Sequence, residues 1–341
     1  MKFLRRNLIK FPGWVASLVM IFFTGFWTYW GTAEMYHEGW WGPWYNRLPY
    51  LAPVALTLLP TLLAFQLPLV GGVLILAVGI FAFFMFSGEV AFIGLAIGLV
   101  GLAFIADGLI KRRNARSASP TVLPRRWLDW RRVLLLGAVL LIFIGISAAR
   151  LPLVLSRVDD GDRSARLIAG NGVALIWAPA GPGWNWQQPW GGYPSWQSIA
   201  LYGVQPLGLD SKNDSELSAV AADMSQTSLC RYLSADGRTL LDTPQDIWRM
   251  PTTDELVRSL VHHGENAGCT WQGEFARMVQ CAQQPDKESP LWATDVPVIY
   301  YWAAGAYNAD RAYFVAYNGT VNATNKRGGN PRHGYRCVRE P

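Results

Sequence analysis

The chain has 341 residues, of which 51% are hydrophobic and 16% charged, with a formal net charge of +6 and a pI near 9.2. Long apolar runs fill the part before Leu155 and every cysteine follows it, which excludes a single soluble globule and divides the chain into a membrane half and a water-exposed half. Nucleic acid is excluded as a partner of the second half, because residues 133 to 341 hold 17 basic and 19 acidic side chains and the positive excess belongs to the membrane half.

The first predicted span covers about residues 14 to 30, led by Lys2, Arg5, Arg6 and Lys10. Its length, its Trp and Phe content and the lack of a small-x-small site argue against a cleaved secretory signal. Residues Leu48 to Phe86 carry no charge. As one helix they would measure about 58 Å against about 30 Å of bilayer core, so they must form two spans, 49 to 66 and 68 to 86, broken at Gln66-Leu67-Pro68. A fourth span is expected at 90 to 110 and a fifth at 133 to 150, making residues 1 to 155 a membrane bundle of about five transmembrane helices. The N-terminal twelve residues carry four positive charges, and the loop 111 to 132 carries eight against Asp129 alone. Both are expected in the cytoplasm, the loop against anionic lipid headgroups, so that after five crossings residues 156 to 341 lie outside, periplasmic or extracellular, at an inner (cell) membrane. Trp40, Trp41, Trp44 and Tyr45, and Trp127 and Trp130, fall where an interfacial aromatic belt belongs.

Beyond the membrane half the pattern is that of an α+β domain. Val173 to Ala178 reads as a buried strand stopped by Pro179-Ala180-Gly181-Pro182-Gly183, and a helix is expected from about Leu217 to Leu233. Thr252-Thr253-Asp254-Glu255 is a capping box; the helix it opens carries Leu256, Val257, Leu260 and Val261 on one face and ends at His262-His263-Gly264. Ala312 to Tyr317 and Thr320 to Ala323 form a hairpin turning at Asn318-Gly319. Cys230, Cys269, Cys281 and Cys337, an even number in an oxidising compartment, are expected in disulfides, with three pairings open.

Candidates for catalysis are few. His262 and His263 are adjacent and on a helix would point about 100° apart, which does not suit a shared metal. Asp286, Glu288 and Asp295 lack the spacing of a calcium loop and read as a solvated acidic segment. No nucleophile elbow, phosphate-binding loop or dinucleotide fingerprint occurs in a fitting context. No catalytic residue, metal or cofactor is therefore expected.

The segment Trp248-Arg249-Met250-Pro251-Thr252-x-x-Glu255-Leu256, together with Tyr300-Tyr301-Trp302 and Gly334-Tyr335-Arg336-Cys337-Val338-Arg339, resembles the C-terminal domain of bacterial collagen-like adhesins. Those domains share a C-type-lectin-like fold with formylglycine-generating enzymes. The resemblance covers about residues 165 to 341 and implies that fold, with Cys230 near Cys337, leaving Cys269 and Cys281 to close a short loop. It carries over no pair of catalytic cysteines. Residues 306 to 333 look like the variable region of retroelement-diversified lectin-fold proteins: Tyr307, Asn308, Asp310, Arg311, Asn318, Asn322, Asn325, Lys326, Asn330 and Arg332 supply the adaptable donors, acceptors and aromatic area that recognition uses. The expectation is thus a membrane-anchored recognition protein for a protein or glycan ligand. The alternatives are a formylglycine-generating-type oxidase, or an accessory subunit of an oligomer or membrane complex.

Overall fold

The computed structural model describes residues 11–85, 91–116, 129–184, 192–202, 227–273 and 277–341. They fall into two compact units, Met1–Val154 and Leu155–Pro341.

The first unit consists of long apolar helices: α1 (Phe11–His37), α2 (Leu48–Gln66), α3 (Pro68–Met85), α4 (Ala91–Arg116) and α5 (Trp130–Leu155). Among the described residues five helices are long and apolar enough to cross a membrane, which marks the chain as a membrane protein. The break between α2 and α3 is a single residue, Leu67, whose non-helical ψ of 77° turns the chain before Pro68. Helices α3 and α4 meet backbone to backbone. A Cβ on Gly79 would lie 2.4 Å from the Gly98 nitrogen, and one on Gly94 would lie 2.3 Å from the Phe83 nitrogen. Small residues allow this close approach, which replaces the hydrophobic drive that is missing between helices in lipid.

The helices depart from the predicted spans at their ends. Helix α1 runs to His37 instead of stopping near residue 30, and α4 continues through Lys111, Arg112 and Arg113 to Arg116. The basic segment 111 to 132 is therefore helical at both described ends, since Trp130 to Arg132 already belong to α5; residues 117 to 128, with Trp127, lie outside the described residues. Charge does not end a helix that has reached the interface, because lysine and arginine are good helix formers with long stems. Trp14 and Trp130 stack at 4.5 Å.

The second unit is rich in sheet. Strands β1 (Arg166–Gly170) and β2 (Val173–Trp177) form a hairpin through Asn171 and Gly172, both at left-handed φ, and β10 (Val338–Arg339) pairs antiparallel with β2. A larger sheet runs β5-β8-β7-β6-β9, built from β5 (Arg277–Met278), β6 (Tyr300–Ala306), β7 (Arg311–Ala316), β8 (Thr320–Asn325) and β9 (His333–Gly334). The β7–β8 turn comes where Asn318-Gly319 places it, with Gly319 at φ +87°. Short helices α6 (Trp196–Ala200) and α7 (Thr253–Arg258) pack on this frame.

The capping box on α7 is complete: Thr252 accepts from the Glu255 N–H while Glu255 accepts from the Thr252 N–H. The helix, however, ends at Arg258. Val261 and His262 form β3, Glu265 and Asn266 form β4, and His263-Gly264 is the turn between them, with φ of 50° and 82°. His-Gly therefore serves a two-residue hairpin turn of the primed type and not a helix end. The helix expected at 217 to 233 lies mostly outside the described residues. Its final part is a 3-10 turn, Leu229–Tyr232, that sets Cys230 in the core.

Tryptophan dominates that core: Trp177, Trp196, Trp248, Trp292 and Trp302 are fully buried. Three of these indoles donate to carbonyls, Trp196 to Ala303 at 2.8 Å, Trp248 to Ser234 at 2.9 Å and Trp302 to Pro194 at 2.9 Å. Each bond fixes a loop by its backbone while the ring fills volume. The sulfurs of Cys230 and Cys337 lie 1.98 Å apart and those of Cys269 and Cys281 2.07 Å, so both pairs are disulfides, in the pairing the resemblance implied.

Candidate functional site

The ten residues assigned to recognition do not form one patch. Tyr307, Asn308 and Asp310 lie in the β6–β7 turn, Arg311 opens β7, and Asn325 faces Arg311 as its register partner. These five are exposed, Tyr307 by 41%. Asn318 sits at the other end of the hairpin. Asn322, half-buried, lies mid-strand between them. Asn330 and Arg332 belong to the lead into β9, where the Arg332 carbonyl accepts from the N–H groups of Ile299 and Tyr300.

Lys326 corrects the expectation most directly. It is 4% exposed, its ammonium 4.9 Å from the centre of the Trp196 ring, and burial lowers its pKa. The ammonium is held by the face of a core indole, so Lys326 is part of the frame rather than of a binding surface.

The asparagines share a local role. The side-chain carbonyl of Asn308 accepts from the Asp310 and Arg311 N–H groups at 2.9 and 2.8 Å, and those of Asn318, Asn325 and Asn330 each accept from the N–H two residues on. These are Asx turns. Each fixes the turn through its oxygen, so the asparagine richness has a structural cause beside the recognition one.

The acidic segment is solvated at Asp295 alone. Asp286 pairs with Arg157 at 2.6 Å; Glu288 is buried, accepting from the Gly264 N–H at 3.2 Å; Lys287 is fully buried with its ammonium donating to the Val296 carbonyl. Asp295 pairs with Arg163 at 3.1 Å. The three carboxylates therefore have separate partners and do not converge. Among the described residues the group that could surround a metal is Glu34, His37 and Glu38 at the end of α1, and there Glu38 already accepts from the Tyr50 hydroxyl at 2.9 Å. The rings of His262 and His263 lie 4.2 Å apart, closer than a helix would have held them, because they belong to the β3–β4 hairpin.

Two buried bases were missed. His333 is 4% exposed and boxed by Trp302 at 4.7 Å, Phe314 at 4.9 Å and Tyr300 at 5.0 Å, and neither ring nitrogen has a hydrogen-bond partner. Burial lowers its pKa from 6.5 to about 4. The folded ring stays neutral while the unfolded chain takes up a proton below pH 6.5. Stability is thus intact above that pH and declines as pH falls toward 4, by about 3 kcal/mol at 1.36 kcal/mol per unit. Hydrogen exchange of the β6–β8 amides in the full chain should show protection falling across that window. In His333→Phe the His-dependent part of the fall should vanish, and an unchanged profile would refute the assignment.

Arg336 is the other. Its guanidinium is fully buried, donates to the carbonyls of Ala178, Pro290 and Leu291, and lies 3.6 Å from the centre of the Trp184 ring. Burial pushes its pKa down to about 9. Among the described residues no carboxylate is bonded to it, and one terminal nitrogen has no partner. Trp184, whose N–H donates to the Tyr301 hydroxyl at 2.7 Å, forms with Tyr301 part of the wall of a recess of about 280 Å³. Periodicity had no means of finding it, since its walls come from residues 163 to 335.

No protein-family model matches the chain, and no curated protein or solved structure matches it.

Proposed function

We propose that the chain is a membrane-anchored recognition protein whose second unit, of C-type-lectin-like fold, is displayed outside the cytoplasm to bind a protein or glycan. The observation that carries this reading is the edge formed by Tyr307, Asn308, Asp310, Arg311 and Asn325. Exposed polar and aromatic side chains stand there on turns braced by Asx hydrogen bonds, above a sheet locked by tryptophans. A rigid support lowers the ordering cost of binding, and Tyr and Arg are the residues that contribute most at interfaces. The disulfide state favours recognition over thiol oxidation, since all four cysteines are spent on the framework.

The test is a glycan array and a cell-surface binding assay on the full chain in nanodiscs, with alanine at Tyr307, Asn308, Arg311 and Asn325. Binding should drop at least tenfold in the quadruple variant. The melting temperature should hold for Tyr307→Ala and Arg311→Ala and fall slightly for the two asparagines, which lose a turn bond of about 1 kcal/mol. Retained binding would reject the edge; co-purifying subunits without any surface ligand would favour the accessory-subunit reading.

The topology follows from the charge bias. Alkaline phosphatase fused after Pro341 should be active and fused at Ser117 inactive. The reverse pattern would place the second unit in the cytoplasm and end the proposal.

A further inference from the structure

The recess beside Trp184 lies apart from the Tyr307–Asn325 edge and has its own chemistry. Its floor is aromatic, with Trp184 and Tyr301 joined by their own hydrogen bond and Tyr301 further donating to the Leu291 carbonyl at 3.2 Å. These polar atoms are spent on each other and Tyr301, 2% exposed, is stacked on Trp292 at 3.9 Å, which leaves the exposed part of Trp184 and the small side chains of Ala293, Val296 and Val298 as the surface a ligand would meet. A volume of about 280 Å³ is just below the range of roughly 300–1,000 Å³ for ligand pockets, so the occupant is small.

Charge selects its sign. Arg163 lines the recess and is anchored on one side by Asp159, donating to both carboxylate oxygens at 2.9 and 2.8 Å. Asp159 is itself held by the Ser289 and Thr294 hydroxyls, and the Arg163 bonds keep its carboxyl well below the usual carboxylate range. The other partner of Arg163 is Asp295, whose side chain is 70% exposed. An exposed ion pair of this kind contributes little and exchanges readily. Arg163 lies 6.0 Å and Arg336 3.6 Å from the centre of the Trp184 ring, and among the described residues the acceptors bonded to Arg336 are carbonyls, not carboxylates. A cation on that ring would meet two guanidinium groups, so the aromatic floor does not serve as an ammonium cage.

We infer that the recess binds a small carboxylate with an apolar or aromatic body, the body lying against the exposed part of Trp184 and against Ala293, Val296 and Val298, and the carboxylate replacing Asp295 on Arg163. This is a second site, independent of the recognition edge, and it stands or falls separately from it.

The experiment uses the full chain in detergent, titrated by calorimetry with phenylacetate, hexanoate and phenylethylammonium. The two carboxylates should bind and the ammonium should not. Asp295→Ala, an exposed change that leaves the fold intact, should tighten phenylacetate binding three- to tenfold because it removes the competing carboxylate; Arg163→Gln should abolish it. Absence of carboxylate binding at millimolar concentration, equal binding of the ammonium, or an Asp295→Ala variant that binds no tighter would each overturn the proposal.

Discussion

Replacing Cys230 and Cys337 by serine is expected to remove about 4.7 kcal/mol from the second unit, the chain-entropy value for a loop of roughly 100 residues. The bond closes 107 residues and joins the 3-10 turn at Leu229–Tyr232 to the chain just ahead of β10, both in the main core. Cys269–Cys281 closes only 12 residues, and its loss should cost roughly 3 kcal/mol or less. Pulse proteolysis of the full chain in urea, with each pair replaced in turn, orders the two directly. Equal effects, or a larger effect from the short loop, would mean that the long bridge does not constrain the unfolded chain as argued.

Trp248→Ala should cost about 3 to 5 kcal/mol, the range for deleting a buried aromatic ring. The indole is 1% exposed, donates to the Ser234 carbonyl and lies under the Arg339 guanidinium at 5.2 Å from the ring centre. It therefore fastens the Ser234–Gly237 turn and β10 to one another. Trp248→Phe keeps most of the volume and should lose about 1 kcal/mol for the hydrogen bond. If alanine and phenylalanine prove equally costly in the same assay, the hydrogen bond and not the ring is what matters.

What the sequence made legible was local. The proline break at residue 68, the Thr252–Glu255 capping box and the Asn318-Gly319 turn each depend on residues within a few positions of one another, and each is found where the pattern placed it. Even so, the stronger hairpin signal, Asn171-Gly172 between Arg166–Gly170 and Val173–Trp177, went unread because only its second strand is a continuous apolar run. His263-Gly264 was misassigned since a glycine after an imidazole suits a helix end as well as a primed turn, and the choice is made by the β3–β4 pairing. The site was less legible for a different reason. Lys326 is buried by Trp196, Asp286 is neutralised by Arg157, and Trp184 meets Arg336, partners about 130 to 150 residues apart that no periodicity connects. Asparagine content pointed to a surface, whereas the fold divides those residues among the two ends of one hairpin, the middle of β8 and the lead into β9.

The pairing of β2 with β10 bears on how the second unit reaches this state. Val338 lies opposite Trp177, about 160 residues further along the chain, so one edge of the first sheet stays open until nearly the whole unit has been assembled. The waiting strand is Val-Ala-Leu-Ile-Trp, uncharged and without proline, the composition that pairs with other copies of itself when left exposed. Slow closure and a vulnerable edge together make yield, rather than final stability, the weak point of this domain: its production should depend on temperature and on chaperone supply far more than its melting point would suggest.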